Sequence, residues 1–180
     1  MNYLKLILIF LLFSFVVHAD QNDKRLDRLF RVLEHSHNDV EINKTVSAIW
    51  NIWLETNDLL IENDFKQGLE LMQGGQLQAS IEMFTKVIEK NPIFAEAWNK
   101  RATVYYLLGD FDSSVLDINE TLKLEPRHFG AMDGLGLIFI HFKEFEKAID
   151  VYDQMLKIFP HNLPTLKKRK RLMNLVSKAT

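Results

Sequence analysis

The residues that could do chemistry are few and scattered. His35 and His37 stand two apart, a spacing that does not bring both side chains to one side of a helix. They could chelate only from a loop. The chain has no cysteine, and no third ligand lies nearby except common acids, so a solvated turn is expected there and no metal site. His128 and His161 follow Pro126 and Pro160 in comparable loop positions, and His141 falls on a helix. Gly134-Leu135-Gly136 is a G-x-G, but no strand precedes it and no third glycine follows, so it lacks the context of a nucleotide-binding turn. The sequence contains no G-x-S-x-G, no P-loop and no H-E-x-x-H. Asn43-Lys44-Thr45 and Asn119-Glu120-Thr121 fit the glycosylation pattern by accident, the second in mid-helix. The expectation is a protein that is not an enzyme, with no catalytic residue, no cofactor and no small-molecule substrate.

Charge is the stronger signal. The 180 residues carry a formal charge of −2, which gives no bulk electrostatic case for nucleic acid. The distribution is lopsided: residues 163–180 hold six basic and no acidic residues, leaving 15 basic and 24 acidic in residues 20–162. Five of the six are consecutive, Lys167-Lys168-Arg169-Lys170-Arg171. A solvated helix face is the expected role of that run. The alternative is a functional basic patch touching anionic membrane or an acidic partner.

The first residues read as an address. Leu6 to Val17 is apolar except for Ser14, too short to span a membrane, and Val17-His18-Ala19 offers small residues where a signal peptidase reads. Residues 1–19 are expected to be a cleaved signal peptide. The mature chain would start at Asp20 and be periplasmic or secreted. An inner-membrane form anchored by residues 4–17 is the alternative, and the lack of a following cysteine excludes a lipoprotein. Without cysteine the exported fold must stand on packing alone.

What must position these residues is a repeat. Pro92, Pro126 and Pro160 are 34 apart, as are Gly68, Ala102 and Gly136, and Leu71, Tyr105 and Phe139. The same step links Leu77, Phe111 and Phe145; Ser80, Ser114 and Ala148; and Phe84, Ile118 and Tyr152. Small columns let paired helices approach closely, aromatic and aliphatic columns fill the space around that contact, and the prolines stop each second helix. Gly75 and Gly109 suit the turn inside each pair, where Lys143 stands in the third unit. Apolar spacing predicts helices at 61–72, 77–90, 95–107, 111–124, 129–142 and 145–158. No stretch alternates with period two, so no strands are expected.

This pattern resembles the tetratricopeptide repeat (TPR) family over residues 61–94, 95–128 and 129–162. The second unit matches with Trp98, Ala102, Tyr105, Gly109, Phe111, Ser114 and Pro126, and the third with Leu135, Gly136, Phe139, Phe145, Ala148, Tyr152 and Pro160. The first departs at Asp64 and Gln67. The resemblance implies an all-α, right-handed helical solenoid of three helix-turn-helix repeats. Residues 20–58 form a flanking helical hairpin expected to cap the first repeat, and residues 163–180 a basic capping helix. Trp50 and Trp53, one turn apart, are expected to be core anchors, with an exposed binding hot spot as the alternative. The layout, with Ile49-Trp50-Asn51-Ile52-Trp53-Leu54 before three repeats, is similar to small exported bacterial TPR proteins known by their repeats.

The resemblance also implies where a partner would sit: the concave groove lined by first helices. Family positions map to Phe65, Leu69, Met72 and Gln73; to Asn99, Thr103, Tyr106 and Leu107; and to Asp133, Leu137, Ile140 and His141. One TPR subtype grips a terminal carboxylate with Lys, Asn and Arg from these helices. Phe65, Leu69, Gly130 and Gly134 stand at those positions here, so that clamp is not expected. The mostly apolar lining suits a helix or extended segment of an unidentified protein or peptide. The opposing expectation is a groove filled by the N-terminal hairpin or by a second copy. The function this implies is a non-enzymatic adaptor of the bacterial envelope. A structural component that self-associates or leans on anionic membrane through residues 167–171 is the alternative.

Overall fold

A computed structural model describes residues 23–56 and 58–179, which form nine helices and no strand. The expected signal segment lies outside the described residues. Within them no helix is long and apolar enough to cross a membrane.

The helices are α1 (Lys24–His35), α2 (Asp39–Leu54), α3 (Leu59–Gln73), α4 (Leu77–Lys90), α5 (Ala95–Leu108), α6 (Phe111–Leu124), α7 (Phe129–His141), α8 (Phe145–Ile158) and α9 (Leu163–Ala179). Their starts are chemical. Asp23, Asn38, Asp58 and Asp110 each accept a hydrogen bond from a free backbone N–H of the first turn that follows. Their ends are steric: Pro92, Pro126 and Pro160 each follow the last residue of a second helix by two.

The 34-residue columns do what their sizes allow. A Cβ on Gly68 would stand 2.7 Å from Phe84, and one on Gly136 would stand 2.7 Å from Tyr152. The Ser80 and Ser114 hydroxyls each donate to the carbonyl of the small residue opposite, Gly68 and Ala102, at 2.8 Å. Polar small residues thus pin helix pairs α3–α4 and α5–α6, and Ala148 fills the same place apolarly in α7–α8. Gly75 and Gly109 take positive φ in the intra-repeat turns, and Lys143 adopts φ 58° at the third. Asp64, which breaks the pattern in the first unit, faces outward enough to pair with Lys90 at 2.6 Å.

Two flanking elements sit differently from expectation. The α1–α2 hairpin does not cap the first repeat. Its Leu26, Phe30, Leu33, Ile49, Ile52 and Trp53 share one core with Phe129 and Met132 of α7, Val151 and Met155 of α8, and Phe159. The hairpin therefore covers the edge where second helices end and first helices begin, across repeats two and three. Only Leu54, at its end, reaches the core of the first repeat.

Helix α9 is more than a lid. It starts 34 residues after α7 and keeps the burial pattern of a first helix. Ala97, Ala131 and Thr165 are all buried, as are Val104, Ile138 and Leu172. Arg169 bonds Asp153 sixteen residues back, as Arg101 bonds Thr85. So α9 stands as the first helix of a fourth unit. Lys170 occupies the column of Gly68, Ala102 and Gly136, where a long cation bars a close-packed second helix. Leu172 is buried on this helix, but Leu166 and Met173 remain exposed.

Candidate functional site

Between α5 and α7 lies an open hollow of about 300 Å³. Its walls are Asn99, Thr103, Tyr106 and Leu107 from α5, and Asp133, Gly134 and Leu137 from α7, with Ala102, Ser114 and Ile118 at its floor. It exists because α7 has no side chain at 134. A Cβ there would meet nothing nearer than the Ile118 methyl at 3.4 Å. Packing thus explains Gly136 but not Gly134, which leaves room and nothing else.

Gly130, one turn earlier, is different. A Cβ there would stand 2.6 Å from the Trp50 ring, so this glycine admits α2. Trp50 lies edge-on to Trp53, His128 and Phe129, and the Lys100 ammonium sits 5.2 Å above it. Trp53 is 2% exposed and stacks on His128 with centroids 4.1 Å apart. Both tryptophans anchor the hairpin, as expected of them.

Under that aromatic cover is a buried polar lock. His128 and Glu96 are 0% and 1% exposed. His128 Nδ1 accepts from the Ala131 N–H at 3.1 Å, capping α7, so its proton belongs on Nε2, which lies 2.9 Å from the Glu96 carboxylate. Asn99 donates to the same Glu96 oxygen at 3.2 Å, and the Lys100 ammonium lies 2.9 Å from the other. Burial pushes the Glu96 carboxyl up; the His128 hydrogen bond and the Lys100 charge outweigh it and leave it below the ordinary range. A second tie joins α1 to the same edge, where Arg127 bridges Asp27 and the buried Glu125 and covers the Phe30 ring. Sequence reasoning missed Glu96 altogether. It placed His128 beside His161 as another loop histidine, whereas His128 shares the helix-capping column of Phe94 and Asn162. His161 instead meets His37, with ring centroids 4.1 Å apart.

Of the expected groove residues, the hollow unites Asn99, Thr103, Tyr106, Leu107 and Leu137, together with Asp133. Phe65 packs among Phe84 and Phe94 in the core of the first repeat and lies at the floor of a separate depression. Leu69 borders that depression with Leu54 and Glu55, and Met72 packs on the first-repeat core. Ile140 is turned to the Tyr152–Leu172 cluster under α9. His141 is exposed against the Phe111 ring at 4.3 Å. The hairpin closes the N-terminal end of the groove at Trp50 without entering the hollow.

The basic run divides. Lys168 pairs with Asp133 and Arg169 with Asp153, both inward. Lys167, Lys170 and Arg171 are exposed and bear on an open depression with Asn174, Leu175 and Lys178. Among the described residues no group of three or more His, Asp or Glu could hold a metal ion.

Comparison with known proteins matches a tetratricopeptide repeat family model to residues 65–120 and 108–162. A TPR repeat-containing protein of Rhizobium etli is 26% identical over 137 residues, 76% of this chain and 67% of that protein. Hsp70-Hsp90 organizing protein 1 of Glycine max is 27% identical over 115 residues, and the match spans only 20% of it. Among solved structures, the first TPR of Spaghetti (RPAP3) bound to an HSP90 peptide superposes with TM-score 0.62 at 19% identity, covering 66% of this chain and 94% of that one.

Proposed function

The chain belongs to the tetratricopeptide repeat family, and from that premise we infer that it is a protein-interaction module whose α5–α7 hollow receives a segment of a partner protein. The observation that carries this reading is the hollow itself: an apolar cleft, rimmed by Thr103, Tyr106 and Asp133, on a helix whose Gly134 no packing demands. The peptide in the RPAP3 structure supports a groove of this kind as a peptide seat. The reading is non-catalytic, with no cofactor and no nucleic acid.

The envelope setting is part of the proposal and rests on the apolar run before Ala19. Mass spectrometry of the protein from its own cells tests it: a mature start at Asp20 supports export, and an intact Met1 in a membrane fraction supports the anchored form. The groove is tested by crosslinking pull-down of the tagged full-length protein with Tyr106→Ala and Gly134→Leu in parallel. A partner lost in both folded variants supports the reading; full retention in both removes it. Ile140 is unsuitable for this test, because it packs beneath α9. The membrane alternative draws on the exposed Lys167, Lys170, Arg171 and Lys178, and requires salt-sensitive binding to anionic vesicles.

A further inference from the structure

The cations of α9 gain meaning from the repeat register. Groove positions recur every 34 residues, so the column of Phe65, Asn99 and Asp133 continues to Lys167, and that of Leu69, Thr103 and Leu137 continues to Arg171. The columns of Tyr106 and Leu107 continue to Asn174 and Leu175. Because α9 keeps the burial pattern of a first helix, these continuations are structural as well as numerical. Lys167, Arg171, Asn174 and Leu175 border one depression. Asp133 belongs to the wall of the hollow and is bonded to Lys168, which joins the two surfaces.

The charges there are unspent. Helix α9 has no acidic residue, and its inward cations have taken the nearby carboxylates of Asp133 and Asp153. Among the described residues the Lys167 and Arg171 side chains have no ion-pair partner. Two unneutralised cations on groove columns, beside an apolar hollow, complement a ligand whose apolar part is followed by negative charge. A membrane surface fits less well: of the exposed apolar residues on α9, Leu175 borders the cations' depression, while Leu166 and Met173 occupy the columns of Trp98 and Met132 and of Tyr105 and Phe139, away from the cations' groove columns.

We propose that the concave groove extends onto α9 as a cationic subsite, and that its occupant is an extended acidic segment of a partner protein, with an apolar side chain seated between α5 and α7 and carboxylates over Lys167 and Arg171. This rests on the groove reading above.

The test is fluorescence anisotropy on the full mature chain. The probe is a short labelled peptide with one Phe followed by four Glu, beside its all-Gln counterpart. The Glu peptide should bind at least about tenfold more tightly than the Gln peptide, and added salt should erode the difference. Lys167→Glu with Arg171→Glu should abolish the preference. The charge-matched Lys86→Glu with Lys157→Glu, on second helices, should leave it within about twofold. Gly134→Leu should weaken both peptides by blocking the apolar seat. Circular dichroism confirms that each variant is folded. Equal affinity for the two peptides, or an undiminished preference in the α9 variant, overturns the proposal. If Gly134→Leu weakens binding while the α9 variant does not, the subsite fails and the groove reading survives. If the Glu preference is lost only in the α9 variant, and Gly134→Leu binds normally, the groove reading fails along with the proposed continuity. Binding to phosphatidylglycerol vesicles through Lys167 and Arg171, with no peptide binding, replaces the acidic partner with a membrane and overturns the proposal.

Discussion

One helical turn separates Gly130 from Gly134, and these two of the three glycines of α7 face opposite situations. At Gly130 the missing side chain is replaced by the Trp50 ring, and the surrounding seam is aromatic and locked by Glu96 and His128. At Gly134 the missing side chain is replaced by nothing, and the wall opens into the hollow. The contrast shows how the N-terminal hairpin works. Trp50 packs on Gly130 of α7 with the Lys100 ammonium of α5 over its ring, so it ties the entry ends of both helices.

The largest test of this contrast is to break the seam. Trp53→Ala should cost about 3–5 kcal/mol of unfolding free energy by urea denaturation, because it empties a large buried volume under α2. His128→Ala should cost a similar amount, since Glu96 would remain buried with one donor fewer. Leu107→Ala, in the hollow wall, should stay within about 0.5 kcal/mol of wild type, as a half-exposed groove residue does.

Acid should open the same seam. The Glu96 carboxyl lies below its ordinary range, so its contribution is fully present above about pH 4.5 and is lost as pH falls through the lowered value. Glu96→Gln should be less stable than wild type at pH 7 and show a shallower loss of stability below about pH 4.5. Stability measured against pH for the two chains checks the sign.

The two glycines themselves give a smaller and sharper comparison. Gly130→Ala should destabilise by about 1–3 kcal/mol, as its methyl collides with Trp50. Gly134→Ala should stabilise by up to about 1 kcal/mol, since a helix-interior glycine is replaced where ordinary contact distance is available. Changes of the same sign would erase the distinction. Least of all, Lys143→Gly should stabilise by about 0.5–1 kcal/mol, relieving a left-handed backbone that Gly75 and Gly109 adopt without strain. Thermal denaturation resolves both.

The repeat was legible because each of its columns has a local cause: small residues for close approach, proline to stop a helix, glycine for a positive φ. Helix ends fall within two residues of those expected from that pattern, and Trp50 and Trp53 anchor the hairpin as their spacing suggested. The hairpin's place was not legible. Its apolar stripes announce that it packs but not against what, and the choice of repeats two and three depends on Gly130, which the sequence offers only as a groove position without a cation. The Glu96–His128 pair was hidden for a related reason. Glu96 shares its column with Glu62, which is exposed, and with Gly130 and Pro164, so the repeat does not mark it for burial, and a histidine after a proline reads as loop until a tryptophan covers it. Of the groove positions carried over from the resemblance, those on α5, Asn99, Thr103, Tyr106 and Leu107, line one hollow. Phe65 and Ile140 instead pack into cores, of the first repeat and beneath α9.

Site-specific photocrosslinking in the native cells would test the central claim most directly, with a benzophenone side chain placed at Leu107 in the hollow and, separately, at Leu116 on the outer face of α6. Both positions are more than half exposed, at 57% and 68%, so reactivity alone does not separate them. The account predicts a discrete heterologous adduct from position 107 that disappears with Gly134→Leu and is absent from position 116. The same adducts from both positions, or an adduct at 107 that persists when the hollow is filled, would contradict it.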